Sequence, residues 1–298
     1  MTTAWLNPHL FAKGYIAYGF KDERVKGLAE LEYSFKKKKE YANEFPIHSL
    51  KLHYESDVNQ YGQNYLYTSK DNVFLALKRE KDDRIGYFKQ AEMTYTNEFY
   101  SGFSFQLTAR RRTDESSYLI PFLRKEGNVY TPVKDFSTSA AELKLRYAPN
   151  EKFFQTQWNR FPVSLDAPVF TLSHTIAGKG ILGSDYTYNH TEAGIQKRFW
   201  FSAFGYTDII LKAGKVWNKV PFPLLINLSY TIQPESYSLM NAMEFMNDEY
   251  FSWDVTYFLN GWLFNRIPLL KKLKWREVVS CRGLYGHLSD KNNPALSD

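Results

Sequence analysis

A single cysteine, Cys281, occurs in 298 residues, so no internal disulfide, multi-cysteine metal site or paired-thiol redox centre can be built within the chain. Long apolar runs are also missing. A membrane helix needs about 20 consecutive apolar residues, and the longest candidate, Val220 to Leu228, is broken by Pro221, Pro223 and Asn227. Helical membrane spans are thereby excluded. The first residues carry no basic start, apolar core and small-residue cleavage site, so no secretory signal is expected. No G-x-S-x-G nucleophile elbow occurs. The six histidines, His9, His48, His53, His174, His190 and His287, never stand at close metal-ligand spacing. His48 and His53 fall five apart, on opposite faces of a strand. Neither a cofactor nor a metal is expected.

What the chain does have is aromatic rings. It holds 22 Tyr and 23 Phe, yet its mean hydropathy is −0.47. The two facts are reconciled by a period of two. Phe103, Phe105, Leu107 and Ala109 alternate with Ser104, Gln106, Thr108 and Arg110, and Ala141, Leu143, Leu145 and Tyr147 alternate with Glu142, Lys144 and Arg146. Successive strand side chains point to opposite faces, so each segment has one apolar and one wet side. Leu31, Tyr33 and Phe35 against Glu30, Glu32 and Ser34 repeat the pattern, as do Phe251, Trp253, Val255 and Tyr257 against Ser252, Asp254 and Thr256.

The alternation predicts strands over residues 10–20, 27–35, 47–55, 72–79, 87–97, 101–112, 139–147, 168–177, 192–202, 204–213, 224–233, 250–260 and 275–285. One short amphipathic helix is expected over 265–275. Short connections, at 98–100 and near 203, stand among long ones at 113–137 and 148–165, the habit of outer-membrane barrels. Aromatics crowd the strand ends: Tyr65, Tyr67, Phe99, Tyr100, Phe199 to Phe201, Tyr250, Phe251, Trp262 and Trp275. Such positions suit interfacial girdles, although an ordinary aromatic core would also use them. So many one-sided strands with so little helix leave two solutions: two sheets packed face to face, or one sheet whose apolar face meets lipid.

The net charge of +6 and pI near 9.0 do not point to nucleic acid, because 38 basic residues are scattered among 32 acidic ones. The one dense run, Lys36 to Lys39, is expected to be a solvated loop. Gly178, Gly180 and Gly183 match a dinucleotide-binding glycine pattern, but strand-like residues follow where a helix is required, so a hairpin loop is expected. Asn189-His190-Thr191 and Asn227-Leu228-Ser229 are formal glycosylation sequons of a kind that arises often by chance. His287 with Asp290 is the best local pair for a hydrolase, a minor alternative. The wet faces say more. Glu30, Glu32, Glu92, Arg110, Glu142, Lys144, Arg146 and Asp254 all oppose apolar stripes, and in a barrel they would enter the lumen, pairing with one another or lining a channel. The self-paired interior is the simpler expectation.

The C-terminal third carries long blocks: Gly214 to Leu225, Tyr237 to Asp248, Asn260 to Leu273 and Gly286 to Asn292. These resemble an uncharacterised domain family of Bacteroidota outer-membrane proteins, found downstream of a carboxypeptidase-like regulatory domain. The resemblance is densest over 205–292, at Gly214, Pro221, Asn241, Glu244, Asp248, Gly261, Asn265, Arg266 and Pro268. It implies an all-β, antiparallel up-and-down transmembrane barrel, similar to the outer-membrane assembly-factor and surface-antigen superfamily, with no peptidase activity. The whole chain, 1–298, is then expected to be one barrel domain of about 12 strands, cut at both ends and incomplete. The expected place is the cell outer membrane, and the expected partners are its lipid and other envelope proteins, in biogenesis or transport rather than catalysis. The alternative is a soluble all-β barrel or sandwich that binds a sugar or lipid.

Overall fold

The computed structural model describes residues 4–20, 22–60, 85–117, 120–126, 129–156, 160–163, 166–227 and 245–293. Its frame is one sheet of eleven antiparallel strands whose spatial order is their chain order. They are β1 (Leu10–Gly19), β2 (Arg24–Ser34), β3 (His48–Gln60), β4 (Ile85–Glu98), β5 (Phe103–Glu115), β6 (Asp135–Tyr147), β7 (Val169–Ala177), β8 (Tyr188–Trp200), β9 (Tyr206–Val216), β10 (Glu249–Phe258) and β11 (Val278–His287). The expected all-β, up-and-down architecture is present. The sheet is open, since β1 and β11 do not pair with each other.

Register carries the alternation across strands. Leu31 lies opposite Leu52, Leu52 opposite Met93, and Met93 opposite Ala109, which faces Ala141. This forms one continuous apolar face. The charged residues between them form the other. Burial is inverted relative to a sheet folded around an oily core. Leu107 is 51% exposed whereas its neighbour Thr108 is 4% exposed, and Met93 and Thr94 repeat the contrast. Polar side chains are the sheltered ones, and the apolar ones of the opposite face are exposed. Among the described residues, the buried apolar clusters of the sheltered side lie at its ends. Ile120, Phe122 and Phe136 form one small core, Val216, Val220 and Leu225 a second, and Ala4, Phe11 and Ala42 a third at the opposite end.

Several boundaries differ from expectation. The strands β3 and β5 run on to Gln60 and Glu115, where the apolar alternation has stopped but backbone pairing continues. Of the strand expected at 224–233, Ile226–Asn227 pair with Met246–Asn247, and residues 228–233 lie outside the described residues, as does the strand expected at 72–79. The helix over 265–275 is only α1 (Pro268–Leu273), preceded by a 3-10 turn at Phe264–Arg266. Two short hairpins occupy the expected loops, Phe122–Glu126 with Val129–Val133 and Phe153–Gln155 with Arg160–Pro162. Long and short connections do not sort by end: the tight turns at 99–102 and 201–205 share an end with the long segments 148–168 and 259–277. The Lys36–Lys39 run is not uniformly solvated either, because Lys38 is 6% exposed.

Candidate functional site: the charged face

Pairing places all eight expected residues on one face. Glu32 lies opposite Lys51, and Glu30 opposite His53. His53 in turn faces Glu92, and Glu92 faces Arg110. Glu142, Lys144 and Arg146 lie opposite Thr108, Gln106 and Ser104, and Asp254 opposite Arg282. Within this face Glu30 is a hub. It meets Lys13 at 3.0 Å, His53 Nδ1 at 3.2 Å and Lys51 at 3.9 Å, while the other ring nitrogen of His53 lies 3.4 Å from Glu55. Asp254 pairs with Arg282 at 2.8 Å, and Arg146 with Glu151 at 2.7 Å. Glu92 accepts hydrogen bonds from Thr94 Oγ1 (2.9 Å) and Gln90 Nε2 (3.1 Å). Arg110 and Lys144 make no ion pair among the described residues. Paired carboxylates and cations in a sheltered groove neutralise one another, which leaves these two as the unpaired cations among the eight.

Lys13, Glu30, Lys51, Glu98, Lys144 and Arg146 line a chamber of about 490 Å³. Its floor is the segment 35–47. The Glu44 carboxylate ties that segment together, accepting the backbone N–H groups of Lys39 (2.7 Å), Glu40 (2.6 Å) and Tyr41 (3.0 Å). Lys38 is buried against it and donates to the carbonyls of Glu44 and Pro46. Burial pushes the Lys38 ammonium below the ordinary lysine value, against the pull of Glu44, Glu32 and Glu98. Arg160 locks the floor to the wall. It donates to both oxygens of Glu98 (2.8 and 3.3 Å) and to the Asn43 carbonyl (2.9 Å), and it lies over the Phe153 ring at 4.7 Å.

The blocks distant in sequence assemble at two places. At one end, Asp248 is 1% exposed. Its carboxylate accepts the N–H of Ser289 (3.0 Å), the Ser289 hydroxyl and Asn292 Nδ2 (2.9 Å). Asn292 also accepts the Val220 N–H (2.9 Å), next to Pro221. Burial alone would raise the Asp248 carboxyl, but the Ser289 and Asn292 hydrogen bonds and the Lys291 charge outweigh it and hold it below the ordinary value. Gly214 sits under Tyr250, whose ring a Cβ would strike, and this lets the Tyr250 hydroxyl cross β9 to Glu192 on β8 (2.9 Å). At the other end, Gly261 turns the chain at φ +84°, Asn265 N–H bonds the Gly261 carbonyl (2.9 Å), Arg266 lies 4.8 Å over the Trp262 ring, and Pro268 opens α1. Asn241 and Glu244 lie outside the described residues.

The description that matches this chain, over residues 7–292, is the C-terminal domain of a family of unknown function, DUF5686. The chain belongs to that family. No curated protein matches it. In this DUF5686 domain no group of three His, Cys, Asp or Glu is placed to hold a metal among the described residues. No ion pair or hydrogen bond joins His287 to Asp290 there. The glycine pattern at 178–183 is a loop between β7 and β8, as expected. Sequence reasoning missed Lys38 and the Arg160–Glu98 lock. Arg160 and Glu98 are 62 residues apart, a separation at which no local pattern signals a contact.

Proposed function

We propose that this domain forms a wall of an integral outer-membrane β-barrel, its apolar face against lipid and its charged face toward the lumen, working in envelope biogenesis or transport. The inverted burial carries this reading. Soluble monomers rarely expose contiguous apolar patches above a few hundred Å², yet here an apolar face extends across the sheet with no second layer on it among the described residues. Outward aromatics support it. Phe103, Tyr147 and Phe170 stand side by side across three strands near one end, close to the strand termini, where interfacial girdles belong. Backbone groups in lipid must be satisfied, so the open edges of β1 and β11 require strand partners in the membrane. The resemblance to Bacteroidota outer-membrane proteins, and to assembly-factor barrels, agrees with this placement and with lipid and envelope proteins as partners.

Fractionation tests it. The expected result is a carbonate-resistant membrane fraction and solubility only in detergent. Recovery of the folded domain from the soluble fraction would contradict the proposal and favour a soluble all-β protein that binds a sugar or lipid.

A further inference from the structure

The apolar face is not evenly filled. Between its larger side chains a trough of about 1090 Å³ runs across β1–β7. Ala91, Ala109 and Ala141 make its floor; Leu52 and Met93 flank it on one side and Ile176 on the other. Lys89 and Glu115, which carry charge on the same face, pair with each other at 2.7 Å, but another charge there has no such partner. Arg111 lies on the apolar face, aligned between Ala91 and Ser139, and makes no hydrogen bond or ion pair among the described residues. A lone guanidinium beside an apolar trough is poorly compensated by its own protein and favours an external anion.

The glycine loop gives the second observation. It folds over the same face, held there by Ser139 Oγ donating to the Leu182 carbonyl (2.9 Å) and by Ser137 N–H donating to Asp185 Oδ2 (2.6 Å). Gly183, at φ +75°, lies directly against the Arg111 guanidinium, where a Cβ would crowd Nη2 at 3.1 Å. Leu182 is held at φ +48°, a region costly for a leucine. Its side chain is nevertheless 77% exposed. Strain that projects leucine outward next to Ile181, at the mouth of the trough, gives the site an apolar cover.

We propose that this trough is a binding site for an anionic phospholipid, with an acyl chain over the alanine floor beneath Ile181 and Leu182 and the phosphate on Arg111. The inference rests on the membrane reading but asks for more, because an ordinary lipid-facing wall has no preference among headgroups. The test is native mass spectrometry of the detergent-purified domain titrated with equimolar phosphatidylglycerol and phosphatidylethanolamine. The wild type is expected to retain phosphatidylglycerol several-fold over phosphatidylethanolamine. Arg111→Gln is expected to bring that ratio to about one, and Ala109→Trp, which fills the floor, to lower retention of both. Because Ala109→Trp also burdens folding, the loop variant Leu182→Ser serves as its surface counterpart and is expected to weaken retention without altering the circular dichroism spectrum. Equal retention of the two lipids by the wild type, or an unchanged ratio in Arg111→Gln, overturns the proposal while leaving the membrane reading intact. A domain that stays in solution without detergent defeats the membrane reading instead, and the same titration in plain buffer then decides the site alone.

Discussion

Asp248 shows how one carboxylate can hold three distant segments. Its partners Ser289 and Asn292 follow β11, its own backbone carbonyl receives the Val216 N–H (2.7 Å), and its N–H donates to His287 (3.0 Å). Asp248→Ala leaves buried donors unsatisfied and is expected to cost about 3 kcal/mol, read as a lowered denaturation midpoint. The pH dependence has a definite sign. The folded carboxyl titrates below its ordinary value of 3.8, so its contribution is complete above that value and is lost as pH falls through the lower folded one. Between pH 6 and 2.5 the wild type should therefore lose more stability than Asp248→Asn; parallel curves would refute the assignment. Arg160→Ala should release the floor of the chamber, at about 1.5–3 kcal/mol for its charged hydrogen bonds. Faster proteolysis within 36–46, with an unchanged sheet spectrum, is the expected signature. None of these contacts could be read locally. Lys38 was indistinguishable from Lys36, Lys37 and Lys39 because what buries it is a turn closed by Glu44 and a wall built by other strands.

Strands were the legible elements, and for a physical reason. A long strand with one apolar face writes its period of two into the chain, so β2, β5, β6 and β10 could be read together with the face each residue takes. The pattern failed where the chemistry changed while the backbone did not. At the far ends of β3 and β5, Asp57 and Arg112 to Glu115 remain paired although the apolar stripe has ended. The hairpin strands at 153–155 and 160–162 are too short to show a period at all. The eight wet-face residues were legible as a set, but their pairing was not, since which cation reaches Glu30 depends on register. The two faces of one strand should respond oppositely to charge. Leu107→Arg is expected to cost about 2–4 kcal/mol at a bilayer midplane, and Gln106→Arg, on the charged face, less than about 0.5 kcal/mol. Unfolding titrations in lipid vesicles would measure both, and equal costs would contradict the assignment of faces.

At the scale of the molecule, sequential antiparallel order follows from hairpin-by-hairpin connection, and the sheet's single layer follows from having almost no helix to cover it. Closure was beyond the sequence, because strand number and shear decide it and neither is written in any one strand. In the proposed membrane role, the apolar face meets lipid and the charged face meets water. Cysteine scanning of residues 104–109, in a background where the exposed Cys281 is replaced by alanine, tests it most directly. Spin labels are placed one at a time in vesicle-reconstituted protein, and their collisions with oxygen and with a water-soluble nickel chelate are compared. Strict alternation is expected: labels at 105, 107 and 109 are relaxed by oxygen and shielded from nickel, and those at 104, 106 and 108 are the reverse. Nickel access at 105, 107 and 109 equal to that at their neighbours would place the apolar face in water and contradict it.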